Sequence, residues 1–307
     1  MEWIIFVIIA VISQSTIIFA DNYSSDVYFK GSGAASQKIF FAIAQPILSL
    51  ILLAIFGIDF GATSPLAITL FIFSGFIISI SSIFYYRALE LDDSTNLGIF
   101  IQLAPVLYLI FGWAFLGESI SVLQFIAFFV ILAAPILIVL TSRKGSRRTK
   151  LRAVAFAFLY VLISVIGNLI FVKENSTPLS FGTELALVFI GKGLGNAVIM
   201  LFTPKWRRRF RFVMKSSHHK VLRPLTVSFI FNGIKDFAYR FALVSAPSVA
   251  IASAASDSSL PIVIFFMGIL LTLIWPKFGR EKLNRKSIII HLVATTLVVT
   301  GIILMQF

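Results

Sequence analysis

Long apolar runs follow one another along the whole chain, separated by short polar breaks or by breaks rich in proline and glycine. Crossing the roughly 30 Å hydrocarbon core of a bilayer takes about 20 apolar residues of α-helix, which is the length of most of these runs. The pattern therefore predicts an all-α integral membrane protein with ten transmembrane helices. Their predicted bounds are 2–20, 36–57, 66–88, 94–116, 121–141, 152–172, 180–203, 225–245, 248–274 and 286–306.

Two of these runs need a separate interpretation. The first run, 3–20, has no basic residue before it and no small-residue cleavage site after it, so we expect a retained spanning helix. The stretch 246–276 is longer than one straight span requires. Pro247, Pro261 and Pro276 are the places where it can bend, begin or stop.

The sequence contains an internal repeat: its two halves are similar when the chain is divided in the basic linker near residue 147. The segment Phe84-Tyr85-Tyr86-Arg87-Ala88-Leu89 is similar to Phe237-Ala238-Tyr239-Arg240-Phe241-Ala242, and Gly117-Glu118 has a counterpart in Arg280-Glu281. Because five helices are an odd number, the second half must lie upside down relative to the first. We therefore predict two inverted five-helix repeats, 1–146 and 147–307, the plan of many secondary transporters, which bind substrate near the midplane.

Composition and charge support this interpretation and add an orientation. The chain of 307 residues is 59% hydrophobic and only 13% charged, against roughly 25% charged residues in soluble domains. Its net charge of +13 comes largely from basic residues in the segments 142–152, 204–224 and 275–286, which lie on one side of a ten-helix layout. The opposite side offers only Lys173. The positive-inside rule then places the basic segments in the cytoplasm and both termini outside.

The same charge pattern and the rare residue types limit the possible partners. Basic residues confined to linkers between spans favour the membrane surface, so we expect a plasma-membrane location and no nucleic-acid partner. The chain has no cysteine, and His218, His219 and His291 are too scattered for a metal site. No catalytic cluster or phosphate-binding loop is apparent in the sequence. We expect neither an enzyme nor a bound cofactor or metal.

Four features stand out in the stretch 84–138: the Tyr86-Arg87-Ala88-Leu89 end of helix three, Pro105 within helix four, the Leu116-Gly117-Glu118 turn, and Gln124 early in helix five. With these features the stretch resembles the EamA-type repeat of the drug/metabolite transporter superfamily. Helices six to ten fit the second repeat more loosely. The resemblance implies a ten-helix transporter. Its members are usually drawn with cytoplasmic termini, whereas the charge pattern here favours the opposite orientation.

Ionisable residues inside the predicted helices are the candidate substrate site. A charge at a helix centre costs about 2.5–3.5 kcal/mol, so each one requires a partner, a water-filled cavity or a function. Five polar positions of helix eight share one face because of their spacing. The full predicted set of substrate-binding residues is Lys192, Asn196, Asn232, Lys235, Asp236, Tyr239, Asp257, Gln45 and Gln102. Arg87 and Arg240 are interpreted instead as anchors near helix ends.

These residues favour a secondary active transporter of a small polar metabolite, working by alternating access. The lysines can bind a carboxylate or phosphate, and Asp257 can bind an ammonium. Such a site of mixed charge suits an amino acid or related zwitterion. If the lysines dominate the site, a phosphorylated or carboxylated anion is the better substrate. If the charges only pair with each other, the protein is a non-transporting membrane scaffold or receptor. Asp236 and Asp257 are the candidates for a coupling proton, and His291 is a weaker one. The direction of transport and the choice between monomer and homodimer stay open.

Overall fold

The computed structural model describes residues 2–29, 38–57, 63–91, 103–142, 151–175, 177–274 and 285–304. The described residues form ten α-helices and no strand. They are α1 Glu2–Ser24, α2 Lys38–Phe56, α3 Pro65–Leu91, α4 Ala104–Phe111, α5 Val122–Ser142, α6 Leu151–Glu174, α7 Phe181–Phe202, α8 Pro204–Ser245, α9 Val249–Ile274 and α10 Arg285–Leu304. Short π-helical segments extend α1 over Ser25–Phe29 and α4 over Gly112–Leu116.

Six of the described helices are long and apolar enough to cross a membrane. They contain the spans Glu2–Asp21, Lys38–Phe56, Pro65–Ala88, Arg152–Glu174, Phe181–Phe202 and Val249–Leu271. Three further apolar stretches are shorter, namely Ala104–Leu116, Val122–Ala134 and Leu292–Leu304. The all-helical, multi-pass membrane fold expected from the sequence is thereby confirmed, whereas its finer division into ten spans stays a prediction.

The largest correction concerns α8. The sequence predicts a basic linker over 204–224 followed by a helix over 225–245, but the structure has a single helix of 42 residues, Pro204–Ser245. Hydropathy marks where a helix leaves the membrane and not where it ends, and arginine, lysine and methionine are good helix formers. Pro224 lies inside this helix, while Pro204 occupies its first position, where a missing backbone N–H costs nothing.

Other predicted bounds need smaller adjustments. The described part of helix four begins at Ala104, because 92–102 lies outside the described residues. The long stretch near Pro261 is one continuous helix, α9, with that proline inside it. Neighbouring helices and local adjustments can satisfy the backbone carbonyl that such a proline frees.

The described chain divides into two compact units. The first unit comprises Met1–Phe19, Asp92–Val154 and Ile234–Phe307. Within it α5 packs along α10, and α9 packs on both α4 and α5. A small apolar core joins α5, α9 and α10 through Ala134, Ile262, Ala294 and Val298.

The second unit comprises Ala20–Leu91 and Ala155–Gly233. Its centre is α7, which packs on both α2 and α3. The backbones of α3 and α7 come very close, since a Cβ atom on Gly75 would collide with the carbonyl of Val188 and one on Gly191 with the carbonyl of Ile72. Each unit draws helices from before and after residue 147, so the units are a different division of the chain from the predicted repeats.

Candidate functional site

The interior of the second unit holds a buried cation, Lys192, near the middle of α7. Its helix starts with Ser180, whose hydroxyl accepts a hydrogen bond from the Thr183 backbone N–H at 3.2 Å. Lys192 is only 6% exposed, and its Nζ lies 5.7 Å from the centroid of the Phe189 ring. An ammonium at this depth is costly, which marks Lys192 as a functional candidate.

One turn further along α7, Asn196 meets α2. Its side-chain amide donates a hydrogen bond to Gln45 Oε1 at 2.7 Å, and both residues are buried. The approach is tight because Gly193 faces the Pro46 ring, where a Cβ would lie 2.6 Å from Cγ. Asn196 Oδ1 has no hydrogen-bond partner among the described residues. That oxygen is therefore an acceptor that a ligand donor can use.

A second polar group of this unit was not predicted from the sequence. Asp21, at the end of α1, accepts a hydrogen bond from the Ser228 hydroxyl of α8 at 2.6 Å. Lys38 and Tyr85 lie near enough to interact electrostatically with it. The predicted first helix stopped at residue 20, so a helix longer by one turn would have brought Asp21 into consideration.

In the first unit, hydroxyl groups from three helices lead to a carboxylate. Tyr239 of α8 donates a hydrogen bond to the Tyr108 hydroxyl of α4 at 3.4 Å and also bonds with Ser253 of α9. Ser253 in turn donates to Asp257 Oδ2 at 2.8 Å. This chain of four residues, called here the hydroxyl network, offers groups that can donate or accept hydrogen bonds beside an acid.

The charged residues in the last third of α8, Lys235, Asp236 and Arg240, lie on the same side of the helix and interact with each other. Lys235 Nζ is 3.1 Å from Asp236 Oδ1. Arg240 is one turn from Asp236 and is attracted by its charge. With 2% exposure, Arg240 is among the most buried side chains described, whereas Arg87 is exposed. The interpretation of Arg240 as an anchor at the membrane interface is therefore wrong: its guanidinium is held inside the unit by its neighbours.

The predicted site residues thus fall into two groups. Gln45, Lys192, Asn196 and Asn232 belong to the second unit, where Gln45 bonds with Asn196 and Asn232 is half-buried. Lys235, Asp236, Tyr239 and Asp257 belong to the first unit, in the contacts given above. Gln102 and the side chain of His291 lie outside the described residues. Tyr108, Ser253 and Asp21 are the additions that the structure makes to the predicted set.

Fold and buried charges together define a class of protein: an all-helical, multi-pass membrane protein with ionisable groups inside its spanning helices, an arrangement typical of membrane transporters. Residues 1–140 match the model of the EamA-like transporter family. These residues are just under half of the chain, and they are similar to that family of the drug/metabolite transporter superfamily, as the sequence resemblance implied.

Comparison with solved structures shows a shared fold over nearly the whole chain. One crystal structure, described only as that of a protein, covers 99% of this chain and 96% of its own, with a TM-score of 0.65 and 13% identity. No curated protein matches the sequence. At so low an identity the structural likeness supports the fold, and it carries no information about a substrate.

Proposed function

We propose that this protein is a secondary active transporter that carries a small polar metabolite, an amino acid or related zwitterion, across the cytoplasmic membrane by alternating access. The observation that carries the proposal is that charges of opposite sign lie inside spanning helices of a chain whose first 140 residues match a transporter family. Lys192 is 6% exposed inside α7, and Asp257 ends the hydroxyl network on α9. Charges at this depth need either a permanent partner or a ligand.

The proposal assigns a role to each group separately. Lys192, with the free acceptor of Asn196 one turn away, is assigned to the carboxylate of the substrate and to donors attached to it. Within the first unit, Asp257, with Ser253 and Tyr239, is assigned to an ammonium group. Gln45 positions Asn196 by holding its amide nitrogen.

A ten-helix chain of two inverted repeats is part of this proposal, and the packing inside the units supports it. In two five-helix repeats, each helix of one repeat corresponds to the helix five positions away in the other. The pair α1 and α8 therefore corresponds to the pair α6 and α3. Both pairs pack: Phe6 of α1 lies 4.2 Å from the Phe241 ring centroid of α8, and Ser74 of α3 donates to Gly167 O of α6 at 2.7 Å. The pairs α2 with α7 and α5 with α10, which the same operation maps onto themselves, also pack.

One observation favours a second candidate, a membrane scaffold or receptor without transport. Lys235 and Asp236 already pair at 3.1 Å, so part of the charge on α8 is compensated within the protein. In a scaffold, the interactions that Lys192 and Asp257 make within the protein would be sufficient, and neither residue would need a ligand. Transport measurements on variants of these two residues separate the candidates.

We expect Lys192→Ala and Asp257→Ala each to abolish amino-acid flux into proteoliposomes, because each removes a charge inside a spanning helix that can bind an oppositely charged group. Lys173→Ala, at an exposed position near the end of α6, is the control and should transport like the wild type. Radiolabelled amino acids, with and without an imposed proton gradient, also report whether a proton is coupled. Normal flux in both folded variants would refute the assigned site. Wild-type flux of a phosphorylated anion without flux of amino acids would favour the anionic substrate.

A further inference from the structure

The first half of α8 carries an unusual density of positive charge. Pro204–Arg223, called here the basic segment, contains eight lysine and arginine residues, and the chain has no aspartate or glutamate from 185 to 235. The whole helix of 42 residues is about 63 Å long, against roughly 40–45 Å for a bilayer with its headgroups. Part of α8 must therefore lie outside the hydrocarbon core, and the charge identifies the basic segment as that part.

The inner face of the basic segment is apolar and buried against its own unit. Trp206 packs with Ile39, at the start of α2, and with Ile199, near the end of α7. Val213 and Val221 pack with Phe29, just beyond α1. Because these contacts are all made near helix ends, the basic segment lies along one end of the second unit, at the level where spans meet the membrane surface.

The outer face of the basic segment carries cations around one aromatic ring. The exposed cations are Lys205, Arg208, Arg211, Lys215, Lys220 and Arg223. At 100° per residue they occupy an arc of roughly 180°, and the buried positions lie on the other side. Phe212, which is 63% exposed, falls inside the cationic arc. A large exposed apolar side chain among cations suits a membrane interface better than open water.

We propose that the outer face of the basic segment is a docking surface for the headgroups of anionic phospholipids in the membrane that the protein spans. The cations match the headgroup charge, and each lysine or arginine near an anionic surface contributes about 1 kcal/mol, or roughly fivefold in affinity. Phe212 enters the boundary between headgroups and acyl chains. Pro224 removes one hydrogen bond of the helix between this segment and the apolar residues that follow, which favours a bend there. This surface is independent of the substrate that is transported.

A fluorophore next to Phe212 tests the proposal locally. The chain has no cysteine, so Phe212→Cys alone provides a unique site for a thiol-reactive bimane. Full-length protein is reconstituted with a small fraction of phosphatidylglycerol carrying a nitroxide near its headgroup, or with the same label on phosphatidylcholine. We expect quenching by labelled phosphatidylglycerol to exceed that by labelled phosphatidylcholine at least fivefold, and to weaken as salt rises.

Variants of the cationic arc separate docking from simple proximity to the bilayer. In the Phe212→Cys background, Arg208→Gln with Arg211→Gln and Lys215→Gln should bring the ratio of the two quenching efficiencies close to one. Arg208→Lys with Arg211→Lys keeps the charge and should keep the ratio, and the same folded fraction in both variants excludes unfolding as the cause. Equal quenching by both lipids in the parent protein would overturn the proposal. Loss of the ratio on adding a short RNA at physiological salt would overturn it in favour of nucleic acid.

Discussion

Glu118 joins a loop to the start of a neighbouring helix through one carboxylate. Both of its carboxylate oxygens accept from the backbone N–H of Val249, at 3.0 and 3.2 Å, while Ser248 caps the Ile251 N–H of the same helix. Two of the free donors at the start of α9 are thus satisfied, and a negative charge lies at the positive end of the helix. The contact requires Gly112, where a Cβ would lie 2.7 Å from Glu118 Oε2.

The stability conferred by Glu118 should depend on pH in an unusual direction. Burial raises the pKa of Glu118 above its ordinary value of 4.5, and the bond from Val249 opposes this only in part. A raised folded pKa means that the folded state binds more protons than the unfolded state from pH 4.5 up to the raised value. Stability due to this group therefore falls as pH rises through that window.

We expect the wild type to lose thermal stability relative to Glu118→Gln as pH rises from about 4.5 towards neutrality, because glutamine has no charge to desolvate. Tm in detergent across this range measures the difference. Glu174→Gln, at the end of α6, controls for the general loss of one carboxylate. A wild-type Tm that rises with pH relative to that of Glu118→Gln, or that keeps a constant difference from it, would contradict the burial of the carboxylate.

At the scale of helices, the contact between α3 and α7 brings Lys192 into the interior of its unit. Gly75 and Gly191 have neighbouring backbone where a side chain would be, so the two helices meet with no side chain between their closest points. Ser49 of α2 adds a hydrogen bond to the carbonyl of Ala186 at 2.8 Å on the other side of α7. The depth of Lys192 is thus set by the packing of α7 on both of its neighbours.

Gly191→Ala should lower the free energy of unfolding by about 1–3 kcal/mol, because the added methyl must push apart two backbones. Gly233→Ala is a matched control, since its methyl would meet only the end of the Leu48 side chain, at 3.2 Å. Thermal denaturation of the two variants side by side measures the difference. A Gly191→Ala variant as stable as Gly233→Ala would mean that α3 and α7 are further apart than described.

At the scale of the whole molecule, the three basic linkers 142–152, 204–224 and 275–286 predict the orientation of the protein in the membrane. Moving arginine and lysine across a bilayer is costly, so we predict that these linkers lie in the cytoplasm and both termini outside. Within the second unit, Lys173 lies before the loop that leads into the span Phe181–Phe202, and Lys205 lies just after that span. Both side chains are exposed. The predicted orientation places Lys173 outside and Lys205 in the cytoplasm, so the two residues can test it.

Single cysteines can test this orientation directly because the chain has none of its own. We expect a membrane-impermeant maleimide to label Lys173→Cys in intact cells and Lys205→Cys only after permeabilisation. Labelling of each variant is measured by gel shift in the same host, and complete labelling of both after permeabilisation is the control for reactivity. The reverse pattern would place both termini in the cytoplasm.

The sequence alone was sufficient for the class of fold and for most helix bounds, because bilayer thickness sets the length and hydropathy of a span. It also located Lys192 and Asp257, since a charge inside an apolar run is visible in the sequence. It missed Asp21 and misplaced the start of α8, because hydropathy reports on the membrane and not on where a helix ends.

Only the tertiary structure decided which polar groups meet. Gln45 with Asn196, and Tyr108 with Tyr239, are each separated by more than a hundred residues in the chain. Their pairing depends on how each helix is rotated about its axis and on which neighbour it packs against, and periodicity within one helix fixes neither. The burial of Arg240 has the same origin: its position in the chain indicated an exposed helix end, and packing enclosed it.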